Sequence, residues 1–153
     1  MIDFANELRK AYMGDAWHGN NVSSIISSVE ESQAFSRPIP DAHTIAEMVL
    51  HLTSWTGEVN SRLMGKVSGE PLKGDWPVPI EETPSAWSAI VSDFRIENEK
   101  LINLSMSFIA DDWTKHVEST SGRGISYFEL FNGLIQHHAY HAGQIALLLK
   151  FKP

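Results

Sequence analysis

Cysteine is absent from this chain of 153 residues. Disulfides, thiolate metal sites and a cysteine nucleophile are thereby excluded, and any metal has to be held by His, Asp, Glu or water. Positive charge is scarce: 12 Lys and Arg stand against 19 Asp and Glu, a formal net charge of −7. A nucleic-acid partner is not expected, because phosphate binding needs a basic surface. No apolar run reaches the ~20 residues that span a bilayer, so a membrane is not expected either. The first residues, Met1-Ile2-Asp3-Phe4-Ala5-Asn6-Glu7, lack the basic and apolar regions of a signal peptide. The expectation is a soluble cytoplasmic protein, folded as one domain over residues 1–153. Hydrophobic residues make up 42%, enough for a sizeable core at this length.

Convincing strands, internal repeats and low-complexity tracts are also lacking. What is present is helical periodicity. Residues 3–13 carry Phe4, Leu8, Ala11 and Tyr12 on one side, and residues 21–33 carry Val22, Ile25, Ile26 and Val29. Pro38 and Pro40 make a stiff connector. Thr44-Ile45-Ala46-Glu47 is a capping box opening a helix that runs to about Met64, with Met48, Val49, Leu52, Trp55, Val59 and Leu63 inward. Residues 65–82, rich in Gly and Pro, read as a long loop with Trp76 as its anchor. Loops of this length are either functional lids or plain connectors. Thr83-Pro84 starts a helix over 84–109. A second loop, 112–124, contains a candidate extended piece at Thr114 to Val117. Ser126-Tyr127-Phe128-Glu129 is another capping box and opens the last helix, to about Lys150. The expected fold is all-α, a four-helix bundle with long inter-helix loops.

The last helix holds His137, His138 and His141 on or beside its apolar stripe. Four residues apart, His137 and His141 lie within roughly 40° of each other on a helix, one turn apart. That spacing lets two imidazoles share one ion, while His138, three residues from His141, is rotated toward the other edge and ranks second. A third ligand has to come from another helix. His51 sits between Met48 and Trp55 on an inward face, the one histidine interior to its helix. His43 precedes the cap and is expected to face water. Three neutral imidazoles plus one open position is the logic of a catalytic metal site, and imidazole suits borderline metals such as zinc or nickel better than magnesium. Against this stands the plain alternative of buried, satisfied core histidines. The His-x-x-x-His here also lacks the zincin glutamate, since His138 follows His137. No base is evident beside the ligands: Glu47 is engaged by its cap, and Glu58 lies two turns beyond His51. Trp17 and His18, between Gly14 and Gly19, together with Trp55, are candidate walls of a substrate pocket. For the tryptophans the alternative is bundle core.

Three pieces carry a family resemblance: Gly14-x-Ala16-Trp17-His18-Gly19, His51-Leu52-x-x-Trp55, and His137-x-x-x-His141-x-Gly143-Gln144-Ile145. Together they span nearly the whole chain, which resembles the DinB-like family of four-helix-bundle proteins. The resemblance implies a divalent metal, often zinc or nickel, held at the positions of His51, His137 and His141, and a frequent homodimer. It also implies activities such as S-transfer from a low-molecular-weight thiol. Where family members often carry Arg after the last histidine, this chain has Ala142. The reading is a metal-dependent enzyme acting on a small molecule, a thiol-dependent S-transferase in its sharper form and a metal-assisted hydrolase in its broader one. The alternative is a non-catalytic, stress-related bundle that binds a metal or ligand.

Overall fold

The computed structural model describes residues 3–122 and 124–151. Six α-helices occur among them: α1 Phe4–Met13, α2 Val22–Ser27, α3 Glu31–Ala34, α4 Ile45–Leu63, α5 Pro84–Met106 and α6 Tyr127–Leu148. A 3-10 turn covers Asp112–Thr114. The described residues contain no β-strand, only isolated bridges at Ala16–Gly19 and His116–Ser126. The second of these is all that forms of the extended piece expected at 114–117.

The helices begin where the caps put them. Thr44 accepts from the Glu47 amide at 3.1 Å while the Glu47 carboxylate accepts from the Thr44 amide at 2.7 Å. Ser126 and Glu129 repeat this reciprocal pair at the start of α6. Each such cap satisfies amides that the first turn leaves without partners, a contribution of about 1 kcal/mol. The helix α4 ends in a Schellman turn: the Lys66 amide reaches Ser61 O and the Gly65 amide reaches Arg62 O. Gly65 has φ +96°, which a side chain disfavours.

The single helix expected over 21–33 is two. Its serines are the cause: Ser24, Ser27 and Ser28 each donate a hydroxyl to a preceding backbone carbonyl. Hydroxyls bonded in this way compete with the helical pattern. The helix stops at Ser28, and Gln33 then caps the Glu30 amide to start α3. The fourth expected helix also ends earlier than expected, at Met106, with Ser107 as its C-cap.

Four helices form the bundle. The long helix α4 packs against α5 and α6, and α1 packs against the same two, so the ring runs α1–α5–α4–α6. The short α2 lies on α1 and α6, and α3 on α4 and α5. The core is the meeting of the apolar stripes, with Leu8, Tyr12, Val49, Leu52, Phe94, Leu101, Phe131 and Ile145 all essentially inaccessible. Aromatic rings link the corners: Tyr12 meets Phe94 edge-on at 5.7 Å, and Phe94 meets His138 at 5.6 Å. No described helix is long and apolar enough to cross a membrane.

Candidate metal centre

Adjacent positions in the ring bring α4 and α6 side by side, and with them the histidines. His51 projects from the middle of α4, and His137 and His141 from successive turns of α6. Their ligating nitrogens all lie within 4.8 Å of one another. The Nε2 atoms of His51 and His137 are 2.9 Å apart. His51 and His141 are buried and His137 is half-buried.

Two of the three rings are oriented by acceptors behind them. His51 donates Nδ1–H to the backbone carbonyl of Asp75 at 2.6 Å. His141 donates Nδ1–H to the Gln144 side-chain oxygen, also at 2.6 Å. Each bond leaves the lone pair on Nε2, the nitrogen that faces the cluster. Because the His51 Nδ1–H is given to Asp75 O, His51 presents a lone pair at Nε2, and His137 Nε2–H donates to it. A metal ligand at that nitrogen requires the proton to move to Nδ1.

Charge follows from burial. Burial is the largest cause lowering the pKa of His51, with a partial offset from the Asp75 carbonyl and carboxylate. Burial likewise lowers His141, partly offset by its bond to Gln144. His137 is pushed down to about 4, by burial first and then by its neighbours His141 and His51. All three are neutral imidazoles near pH 7, the form that ligates. Three neutral nitrogens, two of them preset by hydrogen bonds, fit a divalent ion of the borderline class.

The long loop contributes a cover. Its Gly74 has φ +84° and turns the chain so that Gly74 O accepts from Ser54 on α4 at 2.6 Å. Asp75 then lies over His51, and its carboxylate also accepts from Trp55 Nε1 at 2.7 Å. Trp76 is stacked between two histidines, 3.6 Å from the His43 ring and 3.8 Å from the His51 ring, and meets His141 edge-on at 5.7 Å. The anchor expected at Trp76 is therefore a lid over two of the three rings. His43, expected to face water, is half-exposed and forms the outer layer of this stack.

His138 is not part of the cluster. It is wholly buried on the core side, where Nε2–H donates to Thr56 Oγ1 at 3.1 Å. Thr56 in turn gives its own hydrogen to Leu52 O at 2.7 Å. Burial drives the His138 pKa down to about 3, so the ring is a neutral core group. Glu58, two turns past His51, is buried and ion-paired with Arg62 and Lys66.

The expected pocket wall divides. Trp55 lines a cleft of about 300 Å³ between α4 and α6, together with His137, Val59, Leu130 and Leu134. Trp17 stands in the turn after α1 fully exposed, and His18 is exposed beside it. In this chain alone Trp17 is neither core nor a wall beside the histidines, because the Ala16–Gly19 bridge closes the turn so tightly that residues 17 and 18 are at its tip.

The model of the DinB superfamily matches residues 16–145, which include all three histidines. The chain belongs to the DinB superfamily. A crystal structure of a DinB-like protein from Bacillus cereus ATCC 10987 shares the fold, with a TM-score of 0.65 and 19% identity over 84% of this chain and 81% of that one. No curated protein matches this chain significantly. Within the DinB superfamily frame, sequence reasoning missed Asp75 and Gln144 as hydrogen-bond partners of the clustered rings. Gln144 had a signal, a polar side chain three residues beyond His141 and so on the same face. Asp75 had none, because it acts on His51 through a backbone carbonyl.

Proposed function

We propose that this DinB superfamily protein is a divalent-metal enzyme acting on a small molecule, with the ion held by His51, His137 and His141. The observation that carries the reading is that the cluster is covered by Trp76 on the loop side and borders a cleft at His137 on the other. Three protein nitrogens leave a position for a substrate group, and the cleft leads to it. Superfamily members are often metal-associated, which supports the same reading. Zinc or nickel suits the imidazole set, and magnesium, which prefers oxygen, does not.

When bound, the ion supplies a Lewis acid that acidifies a thiol or a water near neutral pH. The chain's own residues orient and shield. Asp75 and Gln144 hold two rings in the ligating tautomer, Trp76 keeps water from the loop side, and Trp55 walls the approach. Among the described residues the nearby carboxylates are engaged: Asp75 with Trp55 and His51, Glu129 with the start of α6, Glu58 with two cations. Transfer from a thiol needs no protein base once the thiol is acidified, and this favours thiol-linked transfer over carboxylate-assisted hydrolysis. In such a transfer the thiol sulfur bonds to an electrophilic carbon, the leaving group departs with its electron pair, and the thiol proton passes to solvent.

Elemental analysis of protein purified without a metal-affinity tag tests the first step. About one divalent ion per chain is expected, falling sharply in His51→Ala, His137→Ala and His141→Ala and retained in His138→Ala. Absence of a bound ion, or loss in His138→Ala with retention in His137→Ala, would contradict the assignment. Rate assays of the loaded protein with small thiols and electrophiles then separate an enzyme from a metal-binding protein without chemistry.

A further inference from the structure

We propose that the substrate taken at this site pairs one metal-seeking polar head with an apolar body, and that the body lies in the cleft between α4 and α6 with Gly133 as its floor. The proposal rests on the metal reading and specifies what the cluster acts on.

The direction of approach comes first. Trp76 is stacked on His51 and turns its edge to His141, so the loop occupies the space over those two rings. His137 is the ligand candidate that lines the cleft. A molecule whose head reaches the cluster past His137 therefore leaves its remaining atoms along the cleft walls.

Those walls are hydrocarbon. Val59, Leu130 and Leu134 are buried residues whose surfaces form the inner part. Trp55 closes one side, and its single polar atom is spent on the Asp75 carboxylate, so the indole offers the cleft its ring alone. No lysine or arginine is among the lining residues, and the charge at the mouth is the carboxylate of Glu129. The cation beside Trp55, Arg62, lies 5.7 Å from the centre of the indole ring and is committed to Glu58 and to Gly69 O, so a body carrying phosphate or several carboxylates would find no uncommitted cation among the lining residues. An alkyl or aryl body would exchange water for apolar surface, a gain of roughly 25 cal/mol per Å².

Gly133 makes the room. It sits inside α6, where glycine costs about 1 kcal/mol relative to alanine. A Cβ added at this position meets no heavy atom within 4 Å, so a side chain here would grow into the open cleft and not into the protein. Replacement thus fills the cleft while improving helix propensity, and the variant has no reason to misfold.

The experiment uses the full chain loaded with zinc and a series of straight-chain hydroxamates from acetohydroxamate to octanohydroxamate, read by tryptophan fluorescence and calorimetry. Affinity should rise about fourfold per added methylene until the cleft is full, the increment expected for burying one CH₂. In Gly133→Leu the zinc content and acetohydroxamate affinity should be unchanged and the chain-length dependence lost. Affinity independent of chain length in the parent protein, or an undiminished dependence in Gly133→Leu, overturns the apolar cleft while leaving the metal site standing. Failure to retain zinc, with no binding even of acetohydroxamate, overturns the metal reading and this proposal together.

Discussion

A histidine's position on a helix settles very little until the groups behind its ring are known. His137 and His138 are neighbours in the chain, yet one faces two other imidazoles and the other faces Thr56 and Phe94. Among the described residues, the bond from His141 Nδ1 to Gln144 is the side-chain hydrogen bond that orients a clustered ring from within α6, so Gln144→Leu should weaken metal binding by roughly 10- to 100-fold while leaving the fold intact. A competition titration against a chromogenic chelator measures this, and equal affinities would remove Gln144 from the site. His138 makes a second prediction, about pH. Its pKa falls from the ordinary 6.5 to about 3 in the fold because the charged ring cannot be solvated there. The unfolded chain therefore binds a proton that the folded chain refuses. The stability from a neutral His138 is complete above about pH 6.5 and is lost progressively as pH falls toward 3. Thermal melts of the metal-free protein should show this decline, with a shallower one in His138→Gln. Identical acid limbs in the two proteins would contradict it.

At the scale of elements, the helices are local objects and the loop between α4 and α5 is not. The starts of α4, α5 and α6 were legible at Thr44, Thr83-Pro84 and Ser126, because a cap and its amide lie within three residues. The break at Ser28 was masked by the apolar positions Ile25, Ile26 and Val29, whose spacing suits a continuous helix while the serine hydroxyls act against it. The loop over 65–82 offered only its glycines, prolines and Trp76. Where Trp76 lands depends on Gly74, whose positive φ aims the next two residues at α4. In Gly74→Ala the added Cβ meets nothing, so the cost is conformational, about 1–2 kcal/mol. Urea denaturation should register that loss. Because the Asp75 carbonyl is displaced from His51, metal affinity should fall as well. An unchanged affinity in a destabilised Gly74→Ala would separate the loop from the site.

For the molecule as a whole, the question is whether the ion holds the bundle together. The core runs from Leu8 and Tyr12 through Leu52, Phe94 and Leu101 to Phe131 and Ile145, and none of the three clustered histidines is a member of it. Chelation should therefore leave helical circular dichroism largely intact at room temperature, unlike a zinc finger whose fold depends on its metal. Wholesale unfolding would make the site structural. The sequence by itself determined the all-α class, the exclusion of thiolate chemistry and the pairing of His137 with His141. Each of these is a matter of composition or of ~100° of rotation per residue along one helix. The sequence put His51 forward as their third member, but only the tertiary structure decided that its ring meets theirs, that His138 turns to the core, that Trp76 covers the cluster and that Trp17 stands in solvent. Those outcomes depend on how α6 is rotated against α4 and on how far apart in the chain two touching groups can be. Packing of distant residues sets both, and no local pattern records it.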